Sequence, residues 1–312
     1  MRIDRPAIYY GMSAADYFAD PCPVPSLTQS LAKLLIARSP LHAKCAHPRL
    51  NDTVEEEEVE RYEKAKAIGS AAHLTLIGRG KDILVADFDA WRTNEAKKVR
   101  AEAEAEGRMA ILRHHFDLAV TMVEAARQQL ADVGFTDTFS PDLGNGEVCV
   151  AWEEDGIWFR SLIDWLPTTM RVVWDYKTSE MSVAPHSIGR MMADAGWDVQ
   201  AAMHERGLAR VTQGVESIGR RFRFVAQEQE PPYALTICEL PESVLAVGRK
   251  KLDYAVRLWT RCMRSGEWPA YPAEVCVPEY PAWAEAAWLN REIHEAARER
   301  HGSRDAGNLM AG

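Results

Sequence analysis

Between residues 147 and 177 the chain carries three β-rich runs, 147–152, 157–165 and 171–177, parted by Asp155-Gly156 and by turn signals from Pro167 onward. Runs this close together, separated by turn chemistry, read as an antiparallel meander. A helix over 186–209 follows, with Ile188, Met192, Ala195, Val199 and Met203 at helical spacing. Two further strands, 221–226 and 233–239, precede a helix over 243–265 with Leu245, Leu252, Val256, Trp259 and Met263 on one face. That order predicts one α/β domain inside helical additions.

The part before the meander is mostly helical by pattern. Ser26 is placed to cap a helix carrying Leu27, Leu31, Leu34 and Leu35, stopped by Pro40. The acidic run 55–58 suits a helix start, where negative charge meets the dipole. The helix that follows runs to about Ile77, with Tyr62, Ala65, Ile68, Ala72 and Leu76 in register. A strand at 83–86 comes next, then helices over 94–106 and 109–132, and residues 300–312 read as a frayed tail. The expected organisation is a helical extension at 1–50, a core at 51–268, and a C-terminal extension with flexible tail at 269–312.

Composition narrows the function. At 312 residues the chain is long enough for a real core, and 37 Lys+Arg against 46 Asp+Glu leave a net charge of −9. Such a balance argues against coating nucleic acid through bulk charge, though not against an enzyme with a locally basic channel. No apolar run approaches the roughly 18 residues of a membrane span, and the N-terminus has no signal-like apolar region. The six cysteines form no C-x-x-C pair, so reduced thiols in a cytoplasm are expected and an iron–sulfur cluster is not.

G-x-G-x-x-G, G-x-x-x-x-G-K-[ST] and G-x-S-x-G are all absent. His42, Cys45 and His47 cluster, but no fourth ligand accompanies them, and polar helix-end residues are the simpler reading. The informative segment is V-V-W-D-Y-K at 172–177. A strand has a side-chain period of two, so Asp175 and Lys177 leave the same face. Asp164 ends the preceding run, and a tight connection would set its carboxylate beside Asp175. Two convergent carboxylates make an oxygen site suited to Mg²⁺, with the Lys177 ammonium next to it. Taken alone, D-x-K is more readily an edge strand with exposed charges. Glu95-x-Lys97 has the same spacing in a helix, where such residues do not face each other. His73, within G-S-A-A-H-L, sits on a helix beside small residues that permit close approach to a sheet. Gln200 and His204, four apart, share a helical face.

In this order these residues resemble the PD-(D/E)XK nuclease superfamily. More narrowly, the chain looks like its RecE-type exonuclease (exonuclease VIII-like) branch, which is common in prophages. The resemblance runs through I-G-S-A-A-H, W-R-T-N-E-A-K, E-V-C-V-A-W, D-W-L-P, D-Y-K-T-S, G-W-D-V-Q-A-A-M-H-E-R-G and S-G-E-W-P-A-Y. It implies a restriction-endonuclease-like core, a central mixed sheet flanked by helices. It also implies Asp164, Asp175, His73 and the Tyr176 carbonyl as metal ligands, Lys177 as the catalytic lysine and Gln200 as the glutamine of the family's Q-x-x-x-Y motif. His204 stands where that motif has tyrosine, and Glu147 matches a recurrent acidic position. The implied activity is Mg²⁺-dependent hydrolysis (with Mn²⁺ as a substitute) at ends of linear double-stranded DNA, 5′→3′. A single-strand annealing recombination protein as partner and a homo-oligomeric state are implied with it.

Two basic clusters are candidates for phosphate contacts: Arg206, Arg210, Arg220, Arg221 and Arg223, and then Arg249, Lys250 and Lys251. Solvated faces paired with the many glutamates are an equal alternative. Two other functional readings are an endonuclease or single-strand nuclease of the same fold, and a non-catalytic DNA-end-binding protein.

Overall fold

Residues 1–51, 60–212 and 219–308 are described by the computed structural model. The acidic run 55–58, the Tyr62 side chain and residues 309–312 lie outside what is described. The chain opens with β1 (Ala7–Tyr9), α1 (Ala14–Phe18), α2 (Gln29–Ala37), α3 (Pro40–Ala46), α4 (Glu60–Ile77) and β2 (Ile83–Ala86). Then come α5 (Asn94–Ala105), β3 (Met109–Leu112), α6 (Arg113–Asp132), β4 (Gly144–Glu154), β5 (Ile157–Pro167) and β6 (Val172–Ser179). The remainder is α7 (Pro185–Ala195), α8 (Trp197–Val211), β7 (Arg221–Glu228), β8 (Leu235–Glu239), α9 (Glu242–Ser265) and α10 (Ala282–Asn308).

The meander forms as its turns dictate. Glu154 pairs with Ile157, leaving Asp155 and Gly156 as a two-residue loop with φ of 53° and 82°. That is the left-handed pair a tight hairpin requires, and Asp-Gly supplies it at low cost. The six-stranded sheet has the order β1-β4-β5-β6-β7-β8. All its neighbours are antiparallel except β6 and β7, which run parallel from Val172↔Arg221 to Ser179↔Glu228, joined through α7 and α8. One face packs on α2, α8 and α9 through Trp152, Phe159, Phe224 and Trp259; the other packs on α4 and α6 through Trp174, Tyr176, Ile68 and Met122. A mixed sheet flanked by helices is thus the architecture expected from the sequence.

Four local expectations need correction. Thr28, not Ser26, caps α2, its hydroxyl accepting from the Leu31 amide, while Ser26 is buried and donates to Asp20. Leu27 lies outside that helix, in bridge pairing with Phe159. Residues 109–112 form β3, parallel to β2, because a short apolar run reads equally as strand or helix and here β2 offers a free edge. The single helix expected over 186–209 is two, broken at Gly196, whose φ of 64° ends α7 in the left-handed region.

The chain divides into two compact units, Met1–Tyr271 and Pro272–Gly312. Residues 1–50 supply β1 to the sheet, and Leu27, Leu31 and Leu35 to its core. Trp268 packs edge-on to Trp259 at 5.2 Å. The second unit contains α10, which carries helix through residues 300–308 where a frayed tail was expected. All six cysteines are free thiols, and no described helix is long and apolar enough to cross a membrane.

Candidate active site

β5 and β6 are paired only at Trp165↔Trp174. The same antiparallel register carries Asp164 opposite Asp175, where the two strands part. The Tyr176 amide, which a continued ladder would direct to a β5 carbonyl, donates instead to Asp164 Oδ2 at 3.0 Å. On the other side of β5, the register places Glu147 opposite Asp164, and the ladder skips that pair. Glu147 has φ of 52°, a conformation costing a non-glycine residue about 1–2 kcal/mol. Strain of this kind clusters at functional sites. The sheet therefore opens around three carboxylates on three adjacent strands.

Helices from both faces complete the group. α4 approaches β6 closely, because a Cβ on Gly69 would stand 2.6 Å from Thr178 Oγ1, and Ala71 and Ala72 are fully buried. One turn after Gly69, His73 has Nε2 3.4 Å from Asp164 Oδ2 and Nδ1 3.7 Å from Glu147 Oε1. From the other face, the amide of Gln200 on α8 donates to Asp175 Oδ2. Lys177 Nζ contacts Asp175 Oδ1, as two residues on one strand face must. His204, one turn beyond Gln200, has Nδ1 2.5 Å from Ser161 Oγ, and its buried Nε2 has no hydrogen-bond partner among the described residues.

The charges hold one another in fixed states. Burial alone would raise the Asp164 carboxyl, but His73, Lys177 and the Tyr176 amide outweigh it and keep it well below the usual range. Asp175 is pushed up, first by burial and then by the Asp164 charge, with Lys177 opposing. Burial would lower His73, yet Asp164 and Glu147 raise it to about 9. Lys177 is raised because the two aspartates exceed its desolvation. Burial drives His204 down to about 3, so it is neutral. These opposed shifts on adjacent carboxylates are what acid–base and metal sites use.

Among the described residues, no three His, Cys, Asp or Glu side chains stand together as a ready-made metal cage. Asp164 is held by His73, and Asp175 by Lys177 and Gln200. The donor chemistry nonetheless fits a hard divalent cation: two aspartates face each other, and the Asp164 charge raises Asp175. A cleft of about 850 Å³ opens onto the group, lined by His73, Glu147 and Lys177 together with Lys66, Lys81 and Phe18.

The arginine clusters are not brought to this site. Arg206 and Arg210 both bind Glu154 at the hairpin end of β4, and Arg206 also reaches Asp253 at 2.9 Å. Arg220 is buried and donates to the Met170 carbonyl at 2.8 Å. Arg221 and Arg223 pair with Glu239, and Arg223 lies over the rings of Phe135 and Trp174. The parallel register sets Arg221 beside Val172, at the end of β6 away from Lys177. Arg249 is held by Glu205 and Glu242, Lys251 by Asp198, and Lys250 is exposed. His47 is buried against Asp20 at 3.1 Å, while His42 bonds Ser39 and Cys45 is exposed, so these three share no site. Glu95 and Lys97 are exposed on α5, as expected.

Two participants carry no motif. Ser161, which holds His204, is one strand residue among many. Lys33 on α2 lies against Gly196, with Cε 3.2 Å from where a Cβ there would be. Burial and the nearby Lys177 charge bring Lys33 down to about 8. Only the fold brings either to the site.

Comparison with known proteins agrees with this architecture. No curated protein matches the chain. A solved structure from Eubacterium rectale, described as a "Putative exonuclease", matches 82% of this chain and 90% of its own, at 14% identity and a TM-score of 0.50. A second solved structure, SSO0001, matches 70% of this chain and 100% of its own at 14% identity, but its TM-score of 0.26 is too low to bear on the fold. The family model described as "PDDEXK-like domain of unknown function (DUF3799)" matches residues 38–278, a span that includes His73, Glu147, Asp164, Asp175, Lys177, Gln200 and His204. The chain therefore belongs to the PDDEXK-like family DUF3799, within the PD-(D/E)XK superfamily.

Proposed function

We propose that the chain is a metal-dependent exodeoxyribonuclease of the RecE type. It would hydrolyse phosphodiester bonds at ends of linear double-stranded DNA, 5′→3′, leaving 3′ overhangs for a single-strand annealing partner in a bacterial or phage-infected cytoplasm. The observation that carries this reading is the meeting of Asp164 and Asp175 at the point where β5 and β6 part, with Lys177 and His73 against them. A fold neighbour described as an exonuclease supports it.

Asp164, Asp175 and His73, with the Tyr176 carbonyl, would hold Mg²⁺ or Mn²⁺, which when bound supplies Lewis acidity toward the scissile phosphate. The protonated Lys177 faces the same point, where it orients an attacking water and counters charge building on the phosphate oxygens. Gln200 fixes the rotamer of Asp175 through its amide. His204, neutral and bonded to Ser161, buttresses the sheet behind the carboxylates and carries no charge to the phosphate. Linear duplex labelled at each end in turn, with Mg²⁺ or EDTA, tests the reading. Mg²⁺-dependent release of the 5′ label, abolished in Lys177→Ala, is the expected result. Cleavage of a covalently closed circle would mean an endonuclease instead. Intact DNA still bound at its ends by both proteins would mean an end-binding protein.

A further inference from the structure

A second cleft, of about 810 Å³, lies beside the small β2–β3 sheet, walled by residues 89–92, α5, β3 and the first turn of α6. It shares Lys66 and Lys81 with the catalytic cleft, so the two join along those side chains. Its lining holds five cations, Lys66, Lys81, Arg92, Arg100 and Arg108, against two carboxylates, Asp89 and Glu104. That excess runs against a chain with a net charge of −9. Trp91 adds an aromatic face to the same wall, and the His114 and His115 rings lie nearby, 4.1 Å between centroids.

Two of these cations differ from the arginines of α8, β7 and α9 singled out by the sequence. Arg206, Arg210, Arg223 and Arg249 are each closed by a carboxylate. Arg100 and Arg108 are likewise paired, with Glu104 and Glu106. Lys66 and Arg92, in contrast, are exposed and have no carboxylate partner among the described residues. Open cations beside an aromatic face are the combination with which proteins track a nucleic acid strand.

We propose that this cleft binds a single-stranded stretch of the nucleic acid whose backbone reaches Asp164 and Asp175, an inference that rests on the nuclease reading. Lys66 and Arg92 contact successive phosphates, and Trp91 takes the face of a base. A single strand fits better than a duplex because a duplex keeps its base faces stacked inside and offers none to Trp91. The strand passes Lys66 and Lys81, where the two clefts meet.

The test is fluorescence anisotropy of a labelled twelve-nucleotide oligo-dT and of a blunt duplex, in EDTA, across a salt series. Proteins compared are the wild type, Lys66→Ala/Arg92→Ala and Trp91→Ala, each checked for an unchanged melting temperature. Removing one phosphate-binding cation lowers the single-strand salt slope by about 0.7, so the double variant falls by roughly 1.4. Trp91→Ala weakens single-strand binding by roughly 5- to 150-fold, the range for one stacked base. Arg92→Lys retains the charge and keeps the slope. Unchanged single-strand affinity in both variants overturns the proposal, as does a loss confined to the duplex. Its failure is separable from that of the nuclease reading. Lys177-dependent cleavage with unaltered oligonucleotide binding in the variants sinks only the cleft. Cleavage that persists in Lys177→Ala sinks the active-site assignment whatever the cleft binds.

Discussion

Replacing Gly69 by alanine sets two effects of opposite sign against each other. In a helix interior the substitution alone stabilises by roughly 0.5–1 kcal/mol, because alanine gives up less backbone entropy. At this position, however, the new Cβ would sit 2.6 Å from Thr178 Oγ1, about 0.8 Å short of ordinary contact at 3.4 Å. Thr178 cannot turn away freely, since its hydroxyl accepts from Gln229 Nε2 at 3.0 Å and Gln229 also holds the Ala65 carbonyl of α4. Overpacking of this kind costs about 1–3 kcal/mol, so a net loss of up to about 2.5 kcal/mol is expected. In a unit of this size that is a fall of a few degrees in Tm, at about 2–4 °C per kcal/mol. The catalytic effect is larger than the thermal one. If α4 backs away, His73 goes with it and leaves Asp164, and a misplacement of about 1 Å can cost on the order of 100-fold in rate. Calorimetry and single-turnover cleavage on Gly69→Ala, Thr178→Ala and the double variant measure both. Thr178→Ala removes the obstructing hydroxyl, so the double variant should recover most of the rate, with a coupling outside additive error. A Tm that rises in Gly69→Ala with unaltered turnover would refute the reasoning, because helix propensity alone would then account for the site.

Three further outcomes follow from the same structure. Arg160→Met should destabilise by about 3–5 kcal/mol, read from urea midpoints, because Asp20 would be deprived of a buried cation 2.6 Å away while its own charge stays buried. Burial tends to raise the Asp20 carboxyl, but the His47 and Arg160 interactions prevail and hold it below its ordinary value. Its contribution is therefore complete above the unfolded carboxylate pKa of about 4 and is lost as pH falls through the lower folded value, so Asp20→Asn should flatten the acid limb of stability against pH. Arg206→Gln should leave DNA affinity and its salt slope unchanged while lowering Tm, since its guanidinium is committed to Glu154 and Asp253; a reduced slope would return Arg206 to the DNA interface.

What the sequence disclosed, and what it withheld, divides along the range of the interactions. Asp175 with Lys177, and Gln200 with His204, follow from the strand period of two and the helical spacing of four, and both pairs present the shared faces expected of them. The hairpin at Asp155-Gly156 follows from the φ values that only such residues take readily. Glu147 beside Asp164 needs the β4–β5 register, which a motif does not contain. The arginine clusters mislead for the same reason. Arg206 and Arg210 look open in sequence, yet Glu154, which neutralises both, lies on the far side of the meander and reaches them only because α8 packs across β4. Lys33 and Ser161 belong to an ordinary helix and an ordinary strand, and tertiary packing alone brings them near the carboxylates.

The distribution of neutralised charge bears on how an acidic protein could handle a polyanion. A net charge of −9 disfavours approach at long range, and screening over about 8–10 Å confines any attraction to where cations stand unopposed. On α8, β7 and α9, Arg206, Arg210, Arg221, Arg223 and Arg249 are matched by glutamates, so these five guanidiniums offer phosphates little gain. At the mouth of the candidate cleft the exposed Lys66 has no carboxylate partner among the described residues, and the adjoining cleft adds Arg92 and Trp91. The carboxylates between the strands gain from this arrangement as well. A strand drawn along those cations would arrive at Asp164 and Asp175 from one side, with Lys177 already seated against Asp175.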